Sequence, residues 1–240
     1  MALSLEKQNR YRAEYRRRHP SWQPSTEVYE GLIRAALRPG SAVLDVGCGR
    51  GGVLEQLGEA VAAPFGVDPD LASLRAHRLP NLPRAVARAE ALPFRAASFD
   101  LLLCSWLFEH LEAPERTFRE FMRVLKPEGR LIFLTPNANS LVAILNRLLR
   151  PLQSYLVPRL YGRAEADTFP VYYRANSARR LARLAEQAGG ALDQLQRVPD
   201  PTYLAFTPWL FRLSCRLAQI TPPVHLVGTI RKGSGHGSAA

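Results

Sequence analysis

Short uninterrupted apolar runs alternate along the chain with segments whose apolar positions recur at helical spacing. The runs are residues 41–46, a stretch ending in Phe65-Gly66-Val67-Asp68, a short one near 85–88, Ser98–Cys104 and Arg130–Thr135. Two more follow at 191–198 and 224–230. Each reads as a strand. Helices are predicted between them. Residues 5–19 form a charged one carrying Tyr11 and Tyr15. Ser25 caps a second that Pro39-Gly40 ends. Others cover about 52–58, 70–78 and 140–149. In 114–126, Phe118, Phe121, Met122 and Leu125 fall at i, i+3, i+4 and i+7. Leu181, Leu184, Ala185 and Ala188 stripe another helix, which Gly189-Gly190 closes. Strand and helix in alternation with short joints predict an α/β domain with a parallel sheet covered on both faces. No repeat divides residues 1–232, which read as a single domain, and 233–240 read as a disordered tail.

The joint after the first strand, VLDVGCGRGG (43–52), carries the chemistry. Gly47, Gly49 and Gly52 satisfy the G-x-G-x-x-G spacing of a nucleotide loop. Glycine permits φ > 0 and removes the Cβ that would hold a ligand off the backbone. A helix N-terminus behind it offers unpaired N–H groups. Asp68, ending the second strand, is placed to accept both hydroxyls of a ribose. These residues point to an adenosine-containing cofactor. Asp45, two residues before Gly47, narrows the choice. A carboxylate there repels a pyrophosphate and attracts a cation such as an amino-acid ammonium.

Composition bounds the partners. The net charge of +11 comes almost wholly from arginine, since Lys7, Lys126 and Lys232 are the only lysines of the 240 residues. Nucleic acid, an anionic membrane and an acidic substrate all fit that charge, and so does a plain bias toward arginine. Cys48, Cys104 and Cys215 are isolated, which argues against both a disulfide framework and a metal site. The first twenty residues lack the apolar core of a signal peptide, and no apolar run is long enough to span a bilayer. The expected setting is cytoplasmic.

Downstream, AEALPFRAASFDLLLCSWLFEHL (89–111) and VLKPEGRLIFLTPN (124–137) follow in order. With the glycine loop and Asp68, these blocks resemble the class I S-adenosylmethionine-dependent methyltransferases. The closest likeness is to the broad type 11 small-molecule group that includes quinone-biosynthesis O-methyltransferases. The resemblance covers about residues 25–137. It implies a Rossmann-like seven-stranded sheet, mostly parallel with the last strand antiparallel. It implies S-adenosylmethionine as cofactor and S-adenosylhomocysteine as product. It assigns the methionine part to Asp45 and to Gly47, Cys48, Gly49 and Gly51, and the ribose to Asp68. Ala89 or Glu90 would meet the adenine edge, and Ser105 and Trp106 would border the methyl group. Arg88 departs from the family, which often has an Asp there to accept from the adenine amine. Glu90 taking that role, Arg88 packing on the ring, and backbone contacts alone are the three alternatives.

Methyl transfer from a sulfonium needs mainly alignment and desolvation, and sometimes a base. His110 is the candidate base, against the alternative that Glu109-His110 merely starts a helix. Asn137 is a candidate at the substrate side, against a turn-forming role after Pro136. The resemblance puts substrate recognition in an N-terminal lid (5–24) and in insertions at 138–175 and 199–222. In the first insertion, Phe169, Tyr172, Tyr173 and Arg174 form an aromatic and cationic group suited to an anionic or aromatic acceptor, or simply to packing. Residues 141–160 and 203–220 combine apolar faces with arginines. They suit a peripheral membrane contact that gives access to a lipid-like substrate, or a pocket cover or homodimer contact. CSWL (104–107) lacks the N/D-P-P-Y/F signature of DNA amino-methylating enzymes, which argues against nucleic acid. An RNA methyltransferase or binder, a non-catalytic cofactor scaffold and a nicotinamide oxidoreductase are the rival readings.

Overall fold

The computed structural model describes residues 3–148 and 170–234. Seven strands form one sheet: β1 (Ala42–Val46), β2 (Ala63–Asp68), β3 (Arg84–Val86), β4 (Phe99–Ser105), β5 (Leu125–Pro136), β6 (Gly190–Val198) and β7 (His225–Lys232). Their spatial order is β3-β2-β1-β4-β5-β7-β6. β1 through β5 pair in parallel, and β7 runs antiparallel to both β5 and β6. The strand order reverses beside β1, and the crevice there is where ligands bind in such sheets.

The central strands are buried on both faces. Val43, Leu44, Leu102, Leu103, Leu131 and Ile132 have almost no exposed surface, which is why these segments read as continuous apolar runs. Helix α1 (Leu5–Arg18), α2 (Ser25–Ala36), α3 (Val53–Leu57), α4 (Leu71–Arg75) and α5 (Pro114–Val124) precede or join the parallel strands. α6 (Leu141–Leu148), α7 (Ala178–Gln187) and α8 (Pro208–Ile220) belong to the second half. α5 buries Phe118, Phe121 and Met122, the stripe that its spacing predicts, while Leu125 starts the next strand.

Three expectations shift. The helix behind the glycine loop is only Val53–Leu57, so the loop's own backbone, and not a helix dipole, faces the ligand edge. Lys126-Pro127-Glu128-Gly129 does not precede the fifth strand but lies within it. Leu125 pairs with Phe99 and Arg130 with Leu101, so the extra residues bulge out of the ladder. Of 203–220, only Pro208–Ile220 is helical, because Pro201, Pro208 and the Thr207 cap fix its start. Residues 149–169 of the predicted first insertion, Phe169 among them, and residues 235–240 lie outside the described residues.

Candidate active site

The parallel strands β1, β2, β3, β4 and β5 end at one edge, and that edge gathers most of the residues singled out in the sequence. At the tip of β1, the N–H groups of Gly47 and Cys48 both donate to the Val67 carbonyl, at 2.8 and 3.1 Å. Asp68 Oδ2 accepts from the Gly49 N–H at 2.9 Å, and its Oδ1 accepts from the Asp70 N–H at 2.8 Å. The loop is thereby tied to β2 through the carboxylate proposed for the ribose. Gly47 and Gly51 need to be glycine. Their φ values are 78° and 118°, and a Cβ on Gly47 would lie 3.3 Å from Leu107 Cδ1. A Cβ on Gly51 would collide with the Glu55 carboxylate. Gly52, third in the spacing, has extended φ and open space around it, so its identity is not dictated here.

Asp45 is buried, and its carboxyl is pushed up to about 7 by that burial and by the nearby Asp68 charge. The Cys48 thiol is pushed up to about 12 by burial and by the same two carboxylates. Its Sγ packs against Gly66, where a Cβ would come within 2.8 Å of it. Two carboxylates in a cleft lined by backbone suit a ligand with a positive end and a diol. They do not suit a pyrophosphate.

Beyond β3, Ala87 donates to the Asp68 carbonyl at 3.2 Å, which ties the segment leading to Ala89 and Glu90 to the tip of β2. Ala89 is buried. The Glu90 carboxylate is ion-paired with the exposed Arg88 guanidinium. Arg88 therefore occupies the acid that could have replaced the missing Asp.

At the tip of β4, Ser105 leads into Trp106, whose φ is 56°, an uncommon left-handed value for a bulky residue. Its N–H donates to the Leu134 carbonyl at 2.9 Å. Its ring meets His225 edge-on at 5.0 Å between centroids. Antiparallel β7 delivers His225, its first residue, to this edge opposite Pro136. His225 is lowered to about 4, chiefly by burial, and its Nε2 lies 2.9 Å from the Tyr203 hydroxyl.

His110 is half-buried, with Nδ1 2.8 Å from the Pro170 carbonyl and a pKa held below the usual value by burial. Glu109, next to it, is deeply buried. Burial raises its carboxyl to about 7, and it accepts from Thr135 Oγ1 at 3.3 Å. Asn176 Nδ2 in turn donates to Thr135 Oγ1 at 2.6 Å.

Asn137 reaches the expected edge, but its side chain is consumed by the backbone. Nδ2 donates to the Pro223 carbonyl at 2.8 Å and Oδ1 accepts from the Asn139 N–H at 3.1 Å. It acts as the turn-former. Tyr172 and Tyr173 hang from the Glu109 carbonyl by their N–H groups, at 2.7 and 3.3 Å. The Tyr172 hydroxyl donates to Glu112 Oε1 at 2.7 Å, and Arg174 lies over the Tyr172 ring at 5.3 Å. An acid inside this cluster makes it a poorer anion site than the sequence suggests. Tyr11, Tyr15 and Trp22 do not face solvent. They are buried in a satellite core with Ala205 and Phe211.

The sequence reading missed the Tyr203–His225 pair, and it treated Glu109 only as the start of a helix. His225 is the one titratable residue in the apolar run VHLVGTI, and Glu109 is the one acid in SWLFEHL. That is the signal each carried. Among the described residues no group of acids, histidines and cysteines is arranged to hold a metal.

A family model described as a methyltransferase domain matches residues 44–133. The ubiquinone biosynthesis O-methyltransferase of Hahella chejuensis is 37% identical over 113 residues, 44% of this chain and 47% of that protein. An uncharacterised transposon protein of Streptomyces fradiae is 31% identical over 174 residues, 68% of this chain and 48% of that one. The chain thus spans about half the length of these curated relatives. Among solved structures, an S-adenosylmethionine-dependent methyltransferase from Methanosarcina mazei superposes with a TM-score of 0.59 at 20% identity, over 84% of this chain and 97% of that one. The geranyl diphosphate C-methyltransferase of Streptomyces coelicolor, solved with S-adenosylhomocysteine, gives a TM-score of 0.61 at 13% identity, over 86% and 79% of the two chains. The glycine loop lies inside the stretch that matches the methyltransferase-domain model, and the fold is shared with these solved methyltransferases.

Proposed function

We propose that the protein moves the methyl group of S-adenosylmethionine to a small-molecule or lipid-like acceptor, with oxygen as the favoured acceptor atom. The observation that carries the reading is the pair of buried carboxylates, Asp45 and Asp68, set around a backbone cradle that Gly47, Gly49 and Gly51 keep open. The cradle fits the cofactor. A carboxyl held near 7 by burial and a neighbouring acid is one that a ligand ammonium would ionise and pair with. Asp68 keeps two acceptor oxygens at the loop for a ribose diol.

When bound, S-adenosylmethionine supplies a methyl group on an already activated leaving group, so no residue has to activate it. Gly47, Cys48, Gly49 and Gly51 would hold the methionine end, together with Asp45. Ala89 and Glu90 would meet the adenine, where the Arg88–Glu90 ion pair favours backbone contacts for the ring edge. Ser105 and Trp106 would border the methyl group. An oxygen acceptor has to lose its proton. His110 suits that task, because Nδ1–H donating to the Pro170 carbonyl leaves Nε2 as the basic nitrogen, and burial keeps the ring neutral. The named O-methyltransferase relative favours oxygen.

Calorimetric titration with S-adenosylhomocysteine and with NAD tests the reading. Binding of S-adenosylhomocysteine, weakened strongly in Asp68→Ala, is expected. Binding of NAD alone would sink it.

A further inference from the structure

Helix α8 is apolar on two opposite sides. Inward, Phe211 is fully buried and stacks on Tyr11 at 4.3 Å. Outward, Trp209 is 67% exposed, Leu213 38% and Ile220 81%. At 3.6 residues per turn these three lie within an arc of about 40°, directly opposite Phe211. A helix at rest on a soluble core shows polar residues there. Here the arginines are on the flank instead: Arg212 and Arg216, one turn apart and exposed, in a helix with no acidic residue. The neighbouring helix repeats the pattern. α6 exposes Leu141, Ile144 and Leu148 at i, i+3 and i+7. Its first turn lines the same cleft as the last turns of α8.

We propose that this outer face of α8, with α6 beside it, docks on an anionic lipid bilayer. The charge selects the occupant. An exposed apolar stripe bordered by arginines, with a tryptophan at its edge, matches an interface of acyl chains beneath anionic headgroups. A second copy seated face to face on α8 would bring arginines against arginines. Nucleic acid would leave the apolar stripe wet. Among the described residues no helix is long and apolar enough to cross a membrane, so these helices lie on the surface. The inference goes beyond the methyl-transfer reading and rests on α6 and α8 alone.

The test is flotation of the full chain with vesicles of phosphatidylcholine and phosphatidylglycerol in equal parts, against vesicles of phosphatidylcholine alone, at low ionic strength. Binding to the anionic vesicles only is expected. The Trp209→Ser/Ile220→Ser pair should weaken it at least about tenfold. Arg212→Gln and Arg216→Gln should each cost about fivefold. All four positions are exposed, so melting temperature should hold. Quenching of Trp209 emission by brominated lipid, with Trp209→Phe as the blank, reads the same contact in an otherwise unaltered chain. Absence of binding to anionic vesicles overturns the proposal. So does binding that the Trp209/Ile220 pair leaves intact, which would reflect net charge alone. A wild-type dimer in sedimentation that the same pair dissolves would overturn it as well. S-adenosylhomocysteine titrations on the same samples should be unchanged, so vesicle binding and cofactor binding can fail separately.

Discussion

The ligand edge of the sheet is built in two different ways. Over β1, β2 and β3 it is made of backbone and short acids. Gly47, Cys48 and Gly49 hydrogen-bond to β2, and Asp45 and Asp68 stand at the strand tips. Those parts lie close together in the chain. Over β4, β5 and β7 the edge is made of large side chains brought from far apart. Trp106 meets His225, His225 meets Tyr203, and Arg12 of α1 reaches Asp200 at 2.9 Å. The first side, in the proposed reading, seats the cofactor on backbone and paired acids. The second is an assembly of side chains from distant parts of the chain.

Substitutions can break or sharpen that contrast. The largest effect is expected from Asp68→Ala, which removes the proposed ribose acceptors and the anchor of the Gly49 N–H. S-adenosylhomocysteine affinity should fall about 100-fold, the equivalent of two hydrogen bonds to a charged group, by calorimetry. Asp200→Ala should separate the two sides. It strands Arg12 and the Thr202 N–H and hydroxyl, and should cost about 2 kcal/mol in denaturant melts. Burial pushes Asp200 up, yet Arg12, His225 and Thr202 outweigh it and hold the carboxyl below the usual value. Cofactor affinity should move by less than about twofold, because the Asp200 carboxylate is bonded to Arg12 and Thr202 and not to the glycine loop. A larger change would mean that the two sides are coupled.

Asp45→Asn should weaken S-adenosylhomocysteine about tenfold, a charge-assisted contact being worth about 1.4 kcal/mol more than a neutral one. It also carries a pH signature. The folded carboxyl titrates near 7 and the unfolded one near 3.8. Below the lower value both states are protonated. Between the two only the unfolded chain ionises, so the ligand-free protein loses stability as pH rises through that window and levels off above it. Glu109, raised from 4.5 to about 7, adds to the same slope. Asp45→Asn should remove its share, measured by melts across pH. Binding an ammonium should expel the proton. Calorimetry in buffers of different ionisation enthalpy should show release approaching about one proton below pH 7, fading above it, and absent in Asp45→Asn. The smallest effect is expected at Gly52, read against its neighbour. Gly51→Ala should cost about 1–3 kcal/mol through its left-handed φ and the Glu55 contact, while Gly52→Ala stays within about 0.5 kcal/mol.

The same division explains what was legible in the sequence. Parallel strands buried on both faces announce themselves as apolar runs, and a cradle made of consecutive residues keeps its spacing in the chain. Asp45, Gly47 and Asp68 could therefore be placed at the strand tips from the sequence. Even there the spacing misleads by one residue, since Gly51 and not Gly52 is conformationally required. On the other side nothing local marks the partnership of residue 106 with residue 225. Asn137 shows the limit from the opposite direction. Its place at the edge was readable, but its commitment to Pro223 and Asn139 depends on where β7 comes back. Tyr11 and Tyr15 fall in the segment that the resemblance reads as a lid, and their burial against α8 is a tertiary fact.

The direction of β7 has a consequence for how much change this chain tolerates. Because it runs against β5, its beginning sits at the ligand edge and its end, where Gly233 donates to the Gly189 carbonyl, sits at the far one. One residue inserted ahead of His225 would displace Pro223 and Val224, to which Asn137 is bonded, or slip the ladder and turn every side chain of the strand over. A residue inserted directly after Gly233, at the far edge, would leave the bonds of Asn137 in place.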